Sequence, residues 1–214
     1  ECPVFQAVGR PSLWKDCTAT IRLAFRAWLQ ERHGDSPGRQ LADLVSNRHL
    51  FQPDELAKLK SAVPPLARLV QCHLGHVPPG EEENLLNLLC QLACNVFSVL
   101  DQEMRPTGAL GIYLDAAQVN HSCCPNAVAV FSGAKLCMRA VVDIYEGQEV
   151  TIGYIDLSLP RSQRRLELLH GHCFDCSCER CLDPAEAHLE YTTSDGLLCQ
   201  SCGGARVLPP AGDP

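Results

Sequence analysis

Fourteen cysteines in 214 residues are the chemistry-bearing feature of this chain, and they are not spread evenly. Cys173, Cys176, Cys178 and Cys181 fall within nine residues, Cys199 and Cys202 come after them, and Cys123 and Cys124 are adjacent. Disulfides between neighbours two or three positions apart would be strained, whereas one zinc ion takes thiolates at such spacings readily. Glu1-Cys2-Pro3 opens neither a basic stretch nor an apolar core of the signal-peptide kind, so a reducing compartment and bound metal are favoured over disulfides. Spacing alone does not choose between Cys123 and Cys124 as a ligand. Cys199-x-x-Cys202 looks like half of a further knuckle. Cys17, Cys72, Cys90, Cys94 and Cys137 read as small buried apolar residues.

The elements that must position these groups fall into three regions. Residues from about 12 to 104 read as helical. Ser12 can cap a helix that places Trp14, Cys17, Ile21, Phe25 and Trp28 on one face, with Gly34 where it would stop. A second helix begins near Pro53, keeps its period through Leu56, Leu59, Val63 and Leu66, and should break or kink at Pro64-Pro65. Glu81, Glu82 and Glu83 favour a third helix start, with Leu85, Leu88, Leu89, Leu92 and Val96 as its buried stripe. The plain reading of these helices is a packing layer. From Ala127 to Tyr154 the chain favours strands: a hairpin about Ser132-Gly133, then Glu149 to Tyr154 after the Glu146-Gly147 turn. Pro160 opens a short polar helix through Leu169, and Gly171 can end it. The cysteine-rich stretch beyond Gly171 is too poor in apolar side chains to fold without a metal. Leu208 to Pro214 reads as linker.

Asn120-His121-Ser122-Cys123-Cys124-Pro125-Asn126 resembles the Asn-His-Ser-Cys-x-Pro-Asn signature of SET domains. Arg139 to Ile144, Glu146-Gly147-Gln148-Glu149-Val150, Tyr154 and the triplet Cys176-x-Cys178-x-x-Cys181 come next in the family's order. The long helical stretch upstream, Tyr154-Ile155-Asp156-Leu157 and Cys173-Phe174-Asp175-Cys176 resemble the SET-and-MYND group within that family. The resemblance implies an α+β fold: small SET sheets, a helical insert and a zinc-bound Cys-rich post-SET segment. It implies these divisions: 1–11, the end of a MYND finger with Cys2 a ligand; 12–94, the helical insert; 95–160, the C-terminal SET core; 161–185, the post-SET zinc segment; 186–214, a partial knuckle and linker.

The function so implied is S-adenosylmethionine-dependent methylation of protein lysine, histone or other, in cytoplasm and nucleus. Carried over by resemblance, Asn95, Asn120, His121, Tyr154 and Phe174 contact the cofactor, and Tyr154 lines the lysine channel. Cys123, Cys176, Cys178 and Cys181 hold a structural zinc. Each has a blander reading: a turn-forming Asn120, a helix-end Asn95, a Tyr154 with its hydroxyl in water, a Phe174 that fills core beside the metal. One position departs from the pattern. The family has a second channel Tyr where this chain has His172, which is shorter and titrates near neutrality. That favours weak, altered or lost catalysis, the last leaving a zinc-held protein-interaction module. The resemblance also places a Gly-rich strand pair ahead of the MYND finger and a helical domain after the SET region, so the chain alone is expected to be incomplete as an enzyme. The net charge of −7 argues against a general nucleic-acid binder, and no apolar run is long enough to span a membrane.

Overall fold

The computed structural model describes residues 18–33 and 40–184, with the backbone of two short strands at 196–198 and 205–207. Cys2, Ser12, Trp14, Cys17, Gly34, Cys199 and Cys202 lie outside the described residues. Helices α1 (Ala19–His33), α2 (Pro53–Leu74) and α3 (Glu81–Asn95) come first. Their apolar stripes meet in one core in which Phe25, Leu66, Val70, Leu85 and Leu89 are fully enclosed. Trp28 stacks on Phe25, and its indole N–H donates to the buried Glu81 carboxylate, which Arg32 also reaches. A reciprocal Gln52–Glu55 capping box and Pro53 start α2, and Gly75 at φ +81° ends it.

The Pro64-Pro65 pair does not break α2, which runs on for 22 residues. Pro64 and the two residues whose carbonyls lose partners, Lys60 and Ser61, are exposed to water. Val63, Leu66, Ala67, Leu69 and Val70 bury on either side of the pair, and that packing outweighs the two missing bonds. α3 stops one residue short of its expected stripe. Val96 instead opens an antiparallel hairpin, β1 (Val96–Leu100) with β2 (Pro106–Ile112), which periodicity did not indicate.

β3 (Asn120–His121) comes next, followed by the expected hairpin of β4 (Ala127–Ser132) and β5 (Lys135–Ala140), turned by Gly133 at φ +60°. The strand expected from 149 to 154 shrinks to β6 (Thr151–Ile152), which pairs in parallel with β3. α4 (Arg161–His172) comes after Pro160 but passes through Gly171; Cys173, left-handed at φ +61°, closes it. The short α5 (Glu179–Leu182) and the strands β7 (Gly196–Leu198) and β8 (Ala205–Val207) complete the described elements. A helical layer and small two-stranded sheets make the fold α+β, as expected. No helix among the described residues is long and apolar enough to cross a membrane.

Candidate functional site

The parallel pairing of β3 with β6 delivers the turn at 122–126 against the loop after α4. There the sulfurs of Cys123, Cys176, Cys178 and Cys181 all lie within 4.8 Å of one another. Cys123 Sγ is 3.5 Å from Cys181 Sγ and 4.0 Å from Cys176 Sγ. A disulfide would hold sulfurs at about 2.05 Å, so these are thiols gathered without bonding. Cys124 is exposed and stands outside the group. Burial pushes the Cys123 thiol up to about 11. Burial also opposes ionisation of Cys178, but backbone N–H groups of Cys123 and Cys181 and the neighbouring thiols hold its thiolate, bringing it to about 7. Four sulfurs so placed form a closed ligand set for one metal ion. Two cations back it. The Arg164 guanidinium, 1% exposed, bonds the Cys123 thiol and donates to the Leu159 carbonyl at 2.7 Å. Arg180 donates to the carbonyls of Leu157 at 2.8 Å and Cys123 at 3.3 Å.

His121 joins the cysteines to Tyr154. Its Nδ1 accepts the Tyr154 backbone N–H at 3.0 Å, which leaves the ring proton on Nε2, 3.2 Å from Cys123 Sγ. Burial, then the nearby His172, push this imidazole down to about 4, so it is neutral. Asn126, the last residue of the signature, fixes the same junction. It donates to the Glu149 carbonyl and accepts from the Thr151 N–H, both at 2.8 Å. These bonds explain why the strand at 149–154 is short: its first residues pair with a side chain.

Asn95, Asn120, His121, Tyr154, His172 and Phe174 line one cavity of about 320 Å³. The Tyr154 hydroxyl is not left to water: it donates to the Val119 carbonyl at 2.6 Å. Its oxygen keeps its lone pairs, and burial, with a smaller push from Glu149, raises the phenol above its usual range. The His172 ring lies 4.8 Å from that of Tyr154, and Phe174 stands edge-on to Tyr154 at 6.5 Å. Burial lowers the pKa of His172, so it too is neutral near pH 7. The exposed Asn120 amide donates to Glu149 Oε1 at 2.6 Å, rather than to its own backbone. A larger hollow of about 740 Å³ along the β1–β2 hairpin is reached by none of these six residues.

Four further residues line the site without having been marked by sequence reasoning: Val45, Asn47, Cys94 and Ala117. Asn47 adopts φ +45°, and its amide reaches the His172 carbonyl at 3.5 Å. Asn tolerates that left-handed conformation, the one signal that could have singled it out between two helices. Of the cysteines read as buried and apolar, Cys90 is buried, Cys94 and Cys137 are half-buried, and Cys72 is exposed. Asn95 is buried and donates to the carbonyls of Val45 at 2.9 Å and Gln91 at 2.7 Å, tying the end of α3 to the 45–47 loop. Asn95→Ala is expected to cost about 1–3 kcal/mol by leaving those acceptors unpaired. Urea unfolding checks this, and an unmoved midpoint would remove Asn95 from the frame of the site.

The SET domain family matches residues 36–155, more than half of the chain. Histone-lysine N-methyltransferase SMYD3 of Homo sapiens is 34% identical over 142 residues, which is 65% of this chain and 32% of that protein. N-lysine methyltransferase SMYD2-B of Danio rerio is 33% identical over 183 residues, 85% of this chain and 41% of that protein. N-lysine methyltransferase SMYD2 of Homo sapiens is 32% identical over 167 residues, 76% of this chain and 38% of that protein. The chain thus spans less than half the length of these relatives. The match places the signature turn, β6 and Tyr154 inside the SET region, with Asn95, Asn120 and His121 of the cavity wall, while His172 and Phe174 lie beyond it. The chain belongs to the SET-domain family, in its SET-and-MYND branch.

Proposed function

We propose that this chain is the core of an S-adenosylmethionine-dependent protein-lysine N-methyltransferase, clamped by a structural zinc. The observation that carries the reading is the single cavity that gathers Asn95, Asn120, His121, Tyr154, His172 and Phe174 beside the four-cysteine cluster. The names of the three relatives above, each a lysine methyltransferase, support it. The sulfur spacings of 3.5 and 4.0 Å bracket the edge of about 3.8 Å that a tetrahedron with Zn–S bonds of about 2.3 Å requires. All four positions are taken by Cys, so this zinc is structural.

When bound in the cavity, S-adenosylmethionine supplies a methyl group on a sulfonium. This chain's residues position the amine that takes it. The Tyr154 oxygen, its proton committed to Val119, accepts an N–H and aims the nitrogen lone pair forward. The rings of Phe174 and His172 wall off water, and the Phe174 face favours the ammonium product by cation–π attraction. His121 fixes the Tyr154 backbone while contacting Cys123, so a metal held by that thiolate would steady the Tyr154 ring.

Calorimetric titration of S-adenosylmethionine into the zinc-loaded chain, with mass-spectrometric detection of methyl transfer to a lysine peptide, tests the proposal. Tyr154→Phe is expected to lower kcat about ten- to a hundredfold with cofactor affinity nearly unchanged, since one buried acceptor is lost. Absence of cofactor binding, both in the zinc-loaded chain and in a protein extended by the Gly-rich strand pair that the resemblance calls for, rejects the reading. The second reading, a zinc-held interaction module without catalysis, draws on His172 in place of a channel Tyr; cofactor binding with no methyl transfer would favour it.

A further inference from the structure

We propose that the hollow between α1 and α3 is a second ligand site, which takes a small organic cation of the ammonium or guanidinium class through its N–H groups. The hollow holds about 440 Å³ and shares no lining residue with the cavity of Asn95 and Tyr154. Its built wall is Gln91, only 7% exposed. Nε2 of that side chain donates to the carbonyls of Leu41 at 3.2 Å and Leu44 at 3.0 Å, which fixes the amide. The Gln91 Oε1 accepts no hydrogen bond among the described residues. A buried amide oxygen is rarely left without a donor, and in the wall of a hollow a ligand can bring one. Asn87, half-buried and one turn earlier on the same helix, also lines the hollow, and its amide is uncommitted among the described residues.

Charge decides what kind of ligand fits. The Glu81 carboxylate is fully engaged: it takes the Trp28 indole N–H, the Arg32 guanidinium and, at 3.4 Å, the Asn84 amide. Arg32 is engaged as well, 3.4 Å from both Glu81 oxygens and stacked 4.6 Å over the Trp28 ring. Glu31, on the exposed rim, has no cation and no donor of its own among the described residues. Partial burial, then the Glu81 charge, push its carboxyl above the usual range. Two carboxylates thus share one guanidinium, and one negative charge in the hollow is unmatched. A positive group rich in N–H donors answers both the charge of Glu31 and the open oxygens of Gln91 and Asn87. An anion would meet Glu31 as a like charge, and an apolar ligand would leave the oxygens without donors.

The test is titration of agmatine, with a guanidinium at one end and an ammonium at the other, into the zinc-loaded chain. The net charge of −7 draws any cation weakly, so ionic strength is held constant throughout. Calorimetry is expected to show one saturable site with a Kd of about 1 mM or tighter. The Trp28 indole N–H donates to Glu81 at the hollow, so its proton resonance should shift along the same saturation curve. Trp14→Phe removes the other indole signal and so assigns it. Glu31→Gln, a change on the exposed side of α1, should weaken binding at least about tenfold without moving the unfolding midpoint. Butylurea, an uncharged analogue of the guanidinium end, should bind at least about tenfold more weakly than agmatine. No saturation by about 10 mM agmatine overturns the proposal. So does equal affinity in Glu31→Gln, equal affinity for butylurea, or binding that leaves the Trp28 resonance unmoved.

Discussion

Removal of zinc by a strong chelator, or Cys176→Ser, is expected to unfold residues 173–184 and abolish S-adenosylmethionine binding while α2 and α3 stay folded. The packing around the cluster is thin. Its buried members are Cys123, Leu168, Cys176 and Cys181, with Tyr154, Ile155, Leu157 and Phe174 laid against them. Three of those four buried residues belong to the four-sulfur cluster itself, so without metal this segment has almost no apolar core of its own. Structural zinc supplies about 10–16 kcal/mol to small zinc-dependent peptides, comparable to the whole stability of about 5–15 kcal/mol of an ordinary domain. The helical layer is different, since its core of Phe25, Leu66, Val70, Leu85 and Leu89 contains no ligand. Hydrogen exchange read by mass spectrometry separates the two regions. Amides of 173–184 should exchange rapidly in the apo chain, and those of α2 and α3 should keep their protection. Full protection at 173–184 in protein verified to be metal-free would show that the segment holds itself, and the clamp argument would fall.

Cysteine spacing alone makes that segment legible in the sequence, because ligand type and tight spacing are local properties. The fourth ligand is not local. Cys123 and Cys124 are equivalent in spacing, and only the pairing of β3 with β6, segments well separated in sequence, buries one and exposes the other. The same limit applies to α3. Val96 continues the apolar stripe of Leu92, so periodicity carries the helix past its true end. What stops it is Asn95, whose amide goes to Val45 and Gln91. Gly171 illustrates the reverse error: glycine permits a helix end without compelling one. Because α4 runs on to His172 and turns at Cys173, the imidazole is held on the last helical turn beside Tyr154. The partners of the Tyr154 and Asn120 side chains, Val119 and Glu149, arise from packing across elements and had no signal in either residue's neighbours.

Arg164→Leu is expected to weaken zinc binding about 10–100-fold and to destabilise the zinc-loaded chain by about 3–5 kcal/mol. Four thiolates around one Zn²⁺ leave two net negative charges in a buried place. Arg164, among the largest fully buried side chains, sits in contact with Cys123 and supplies a compensating charge there. Leu fills similar space and packs beside Leu168, so the variant isolates the charge from the volume. The unfolding temperature should fall by about 6–20 °C, and a chromogenic chelator should take zinc at lower concentration. Arg164→Lys keeps a charge but loses the planar fork that serves both the thiol and the Leu159 carbonyl, so it should fall between the two. Arg180→Ala gives the contrast. That guanidinium is only half-buried and bonds carbonyls of Leu157 and Cys123, so its loss should move zinc affinity less. Equal effects at the two positions would mean that loop anchoring, rather than charge compensation, is what the arginines provide. A neutral Arg164→Leu would mean that the cluster tolerates its charge with backbone N–H groups alone, such as those of Cys123 and Cys181 on Cys178.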